Sequence, residues 1–180
     1  MRLPFLKNFR RGFATNSSSS HSFVYLKKAV ESHDSDPVPD GDFNWNDFRL
    51  DTLKEKLFYV LVSRIGGFWK GPSEEEVDEA VENHIENFPE FDRDDFRAAM
   101  LGNVDHESVG LIGTAEARDP NLVVFGGNDN SDGSQERAAA VRAKEIDWTR
   151  TEPTWEDACN MPKDDVEGMK KTKAIRDRGW

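Results

Sequence analysis

A chain of 180 residues with a net charge of −11 is long enough to bury one core of its own, and its twelve Phe and five Trp supply large side chains for it. The negative charge argues against general nucleic-acid binding, whose affinity comes from cations that displace phosphate counterions. A single cysteine, Cys159, excludes an internal disulfide and suits a reducing, cytoplasmic setting, and no apolar run approaches the ~20 residues of a membrane span.

The first dozen residues carry Arg2, Lys7, Arg10 and Arg11 and no acid, a basic arm that runs into the Ser-rich stretch Asn16–Ser22. That composition is shared with mitochondrial transit peptides, and the alternative is a retained arm. Ser22 to Leu26 is β-branched and aromatic and predicts a strand entering the core. Residues 31–42, broken by Pro37 and Pro39, predict a surface connection. Asp51 is the expected cap of a helix to about Ile65, with Leu50, Leu53, Leu57, Val60, Leu61 and Ile65 at helical spacing. Ser73 and Glu76 form a capping box for a second helix with Val77, Val81, Ile85 and Phe88 on one stripe, and a third helix is expected over residues 92–101. Ser73 to Phe96 holds eleven acids against one Arg, an acidic face for which solvation is the ordinary role and docking on a basic partner the special one.

In the second half, Ser108–Thr114 and Asn121–Phe125 predict short strands, Gln135–Lys144 a helix and Glu145–Trp148 a last strand. The expected fold class is α+β, a small sheet with helices packed on it. Residues 1–150 form the domain and residues 151–180 a peripheral charged tail that docks on it or on a partner.

Three polar clusters carry candidate chemistry. Asn16, Ser17, Ser18, Ser19 and Ser20 lead into His21, and such a loop of small donors before a strand suits a phosphate-bearing ligand, with local turn hydrogen bonding as the structural alternative. Asp105 and His106 pair a carboxylate with an imidazole, a candidate general base beside His21, against a solvated turn. Gly126, Gly127 and Asn128 extend the ligand loop, and Asp129, Asn130 and Asp132 are candidate ligands for a divalent cation. Asn128, Asn130, Asp132 and Gly133 match the opening of a calcium loop, but Ala139 stands where its bidentate Glu belongs. A Ser–His–Asp triad could be drawn from these clusters, although no G-x-S-x-G elbow supports one.

The run Gly12-Phe13-Ala14-Thr15-Asn16-Ser17-Ser18-Ser19-Ser20-His21-Ser22-Phe23 resembles the opening of a group of phage and bacterial proteins, with weaker echoes in Phe43-Asn44-Trp45, Asp105–Ser108 and Phe125–Asn130. Ala14 and His21 depart from that pattern. The resemblance implies a phage or mobile-element origin and brings no activity, fold or catalytic residue with it. Two functions follow as expectations: a small enzyme or binder of a phosphate-bearing small molecule, in the host cytoplasm, or a non-enzymatic virion or protein-interaction component whose arm and tail meet neighbouring chains. An acidic inhibitor of a host nucleic-acid protein is a third.

Overall fold

The computed structural model describes residues 19–33, 36–44, 47–104, 112–128 and 135–177. Its elements in chain order are β1 (Ser19–Tyr25), β2 (Asp42–Phe43), β3 (Phe48–Leu50), α1 (Leu53–Ile65), α2 (Glu74–His84), α3 (Arg93–Leu101), β4 (Asn103–Val104), α4 (Thr114–Ala117), β5 (Leu122–Asn128), α5 (Gln135–Arg142), α6 (Trp155–Asn160) and α7 (Val166–Arg176). The class is α+β, as the residue patterns indicate. β5 is the centre of an antiparallel sheet in the order β1-β5-β3, and β2 and β4 form a separate parallel pair.

Leu122, Val123, Val124 and Phe125 are all buried, and a continuous apolar run is what a strand covered on both faces requires. Because side chains alternate across a strand, Val124 joins Leu57, Tyr59 and Phe96 in one core, while Val123 and Phe125 join Val24, Ile146 and Trp148 in another. The sheet thus separates α1, α3 and α4 on one face from α5 and the C-terminal region on the other.

Helix α1 is buried at every position from Lys56 to Val62. Leu57-Phe58-Tyr59-Val60-Leu61-Val62 is apolar all round, the signature of a helix surrounded by protein. Lys56 lies inside this layer and donates to the carbonyls of Asp119 and Leu122, each at 2.8 Å. Burial lowers its pKa to about 8, against the weaker pull of Asp119, Asp51 and Glu55. The cap of α1 is Thr52, not Asp51: Thr52 Oγ1 accepts from Glu55 N and Glu55 reaches back to Thr52 N at 2.9 Å. Asp51 instead accepts from Arg49 Nε, and Leu50 belongs to β3 rather than to the helical stripe. The second capping box, Ser73 with Glu76, forms where the sequence places it, and α3 fills the expected span with Asp92 as its cap instead of its first helical residue.

Three other segments differ from expectation. Thr114 opens α4 instead of closing a strand, residues 112–113 are irregular, and residues 108–111 lie outside the described residues. The strand expected at residues 145–148 contracts to one bridge, Ile146 with Leu26, because Asp147 turns its carboxylate onto Thr149 N and Oγ1. Beyond Arg150 the weakly periodic sequence folds into α6 and α7, which pack on each other, with α6 also against α5. Two buried polar contacts hold them: Arg137 Nε and Nη2 grip Asp157 at 2.9 and 2.5 Å, and Trp148 Nε1 donates to Asp165 at 3.3 Å while Asp165 caps α7. A Cβ at Gly168 would fall 2.2 Å from Met161 Sδ, so close approach of α7 depends on that glycine.

Candidate functional site

The first and third polar clusters meet by strand pairing. Antiparallel register places Ser19 opposite Asn128, Ser20 opposite Gly127 and His21 opposite Gly126, so the end of the Ser run lies beside the Gly-Gly-Asn segment at one end of the sheet. Strand β1 begins three residues earlier than its apolar pattern suggests, at Ser19, because the ladder with β5 continues through residues that have no apolar side chain to signal it.

His21 is buried at 9% exposure, with Nδ1 2.9 Å from the hydroxyl of Tyr59 on α1. Its ring packs edge-on against Phe48 and Tyr59, at centroid separations of 5.2 and 5.7 Å. Phe43 meets both of those rings, at 5.4 and 5.1 Å. Phe48 and Tyr59 therefore wall the imidazole and Phe43 backs them both, each edge-to-face contact contributing on the order of 0.5–1.5 kcal/mol beyond its buried area. Burial pushes the Tyr59 phenol well above its ordinary value, so it stays protonated and offers His21 a neutral partner rather than a phenolate.

Gly126 makes this arrangement possible. A Cβ there would lie 2.1 Å from the Phe48 ring, which stacks across the strand on the bare glycine backbone. The Gly-Gly pair that the sequence offers as a ligand loop thus has a packing role at its first residue.

The same aromatic group extends into the small sheet, whose described part ends at Val104. Phe43 pairs with Val104, and Asp105 is the next residue in the chain. Asp105 and His106 themselves lie outside the described residues, as do Asn16, Ser17, Ser18, Asp129, Asn130 and Asp132. Among the described residues, no group of three or more His, Cys, Asp or Glu side chains is placed to hold a metal ion. No described helix is long and apolar enough to cross a membrane.

Tyr59 and Phe48 are the site residues that sequence reasoning missed. Tyr59 lies off the apolar stripe expected for α1, and Phe48 falls between the connection expected at residues 31–42 and that helix. Nothing in the spacing of either announces an imidazole partner, which lies 38 residues before Tyr59 and 27 before Phe48.

No protein-family model, curated protein or solved structure matches the chain.

Proposed function

We propose that this is a phage-type accessory protein that binds a phosphate-bearing small molecule at the sheet end where β1 begins and β5 finishes. The observation that carries the reading is the register of Ser19-Ser20-His21 on Asn128-Gly127-Gly126, which joins two of the three polar clusters. Backbone N–H groups of glycine-containing segments and small hydroxyls are suited to phosphate oxygens, and an imidazole held by a buried phenol is a pre-oriented group for proton transfer. A second reading, an interaction component, is favoured by Trp69, Leu101, Trp155 and Val166, large apolar residues left exposed on the described surface.

The test is titration of the full chain with inorganic phosphate and then pyrophosphate, followed by calorimetry. Saturable binding with Kd below about 1 mM is expected, weakened at least tenfold when Ser18, Ser19 and Ser20 are all changed to Ala. That variant leaves the aromatic wall of His21 intact. Heat that never saturates, or affinity unchanged in the triple variant, would remove the site.

A further inference from the structure

The turn between α1 and α2 presents an apolar knob. Gly67 and Gly71 take positive φ values of 101° and 76°, the turn is tied to α3 by Gly67 N to Gly102 O and Phe68 N to Met100 O, and Trp69 at its tip is 89% exposed. Leu101, 55% exposed at the end of α3, lies against Gly71. Hydrogen-bonded backbone on both sides makes this an anchored display of indole, not a loose loop.

From that knob the chain enters α2 through Pro72 and Ser73. Glu75, Glu79 and Glu82 follow at four- and three-residue spacing on one exposed row, with Glu86 exposed in the turn beyond. The neighbouring acids are already engaged: Glu74 with Arg93 and Arg97, Asp78 with Arg93, Glu76 with the helix cap, Glu90 with Arg118. The Glu75–Glu79–Glu82 row has no ion pair among the described residues.

The chain carries a segment of complementary composition. Residues 1–12 alternate Leu3, Phe5, Leu6 and Phe9 with Arg2, Lys7, Arg10 and Arg11 and contain no acid. The direction of α1 puts its exit on the right side of the molecule. Lys56 sits beside Leu122 at the start of β5, and Tyr59 beside the His21–Gly126 pair near its finish, so α1 travels with β5 toward the sheet end where β1 begins. Six more residues, about 9 Å of helix, bring it to Ile65 and the turn. The chain enters β1 at Ser19 from that same end, and residues 13–18 span at most about 20 Å.

We infer that the Trp69–Leu101 knob and the Glu75–Glu79–Glu82 row are the docking face for the chain's own basic arm, residues 1–12. The apolar side chains of the arm cover the indole, and its cations neutralise the glutamate row.

Limited trypsin digestion of the full chain, read by intact mass, tests this, because Lys7, Arg10 and Arg11 are cleavage sites inside the arm. At low ionic strength, cleavage there should be about fivefold slower in the native chain than in Glu75→Gln/Glu79→Gln/Glu82→Gln, on the scale of a few exposed ion pairs. Trp69→Ala should accelerate it as well, and about 0.5 M salt should bring the native rate toward that of the glutamine variant. Continued resistance of interior sites distinguishes a released arm from an unfolded chain. Equal arm cleavage in native and variant chains overturns the inference, and so does protection that grows with protein concentration, which would give the face to a second copy's arm.

Discussion

The two faces of the central sheet are built by different physics. On the α1 face, a helix buried on all sides meets an aromatic group, and the buried polar contacts are the His21–Tyr59 hydrogen bond and Lys56 on two backbone carbonyls. On the α5–α7 face, short helices of weak periodicity are held by a charged clamp, Arg137–Asp157, and by the Trp148–Asp165–α7 cap. The lesson is that apolar patterning announces most of the first side in the sequence, whereas the second hangs on a charged clamp and a cap that no window of sequence displays. Three perturbations would sharpen or break that contrast.

The largest effect is expected on the clamp. Arg137→Met leaves Asp157, 1% exposed, as a buried carboxylate without its guanidinium, which costs about 3–5 kcal/mol. Replacing both partners, Arg137→Met with Asp157→Leu, should restore most of that loss in urea unfolding. A single variant as stable as the native chain would show that the C-terminal helices do not depend on the charge pair.

On the opposite face, Gly126→Val drives side-chain atoms into the Phe48 ring and should destabilise by about 1–3 kcal/mol through overpacking. Its near-ultraviolet dichroism should change, because the ring set around His21 must shift. Unchanged stability and spectrum would mean that Phe48 does not stack on the bare strand.

The smallest effect is a pH dependence carried by Lys56. Its folded pKa of about 8 lies below the ordinary 10.5, so the charged form costs stability up to pH 8. Between about 8 and 10.5 the unfolded chain keeps a proton that the folded chain has released, and that cost is relieved as pH rises. Tyr59, raised by burial, acts in the other direction above pH 10, where the unfolded phenol ionises first. Native stability should therefore rise relative to Lys56→Met from pH 8 to pH 10 in urea unfolding. A constant difference between the two chains would place Lys56 in a more solvated setting than its two carbonyl contacts imply.

Helices α1, α2 and α3 and the strand at residues 121–125 were legible because each combines a periodic apolar pattern with local punctuation: a capping residue, a Gly pair or a Pro. Strands β2, β3 and β4 were not, since pieces of two or three residues are shorter than any repeat that could reveal them. The candidate site was legible in part. His21, the serines and the glycines stand out as residue types, but their juxtaposition is a property of the β1–β5 register.

What the sequence determined by itself is therefore local: composition and charge, the Ser73–Glu76 capping box, the apolar run of β5, and the residue types from which a site could be made. The tertiary structure alone decided that His21 meets Tyr59, that Gly126 carries Phe48, that Lys56 is buried against two carbonyls and that Arg137 clamps Asp157. Each of these joins residues far apart in the chain, and long-range partners are selected by how whole faces pack, not by the preferences of the segments that carry them.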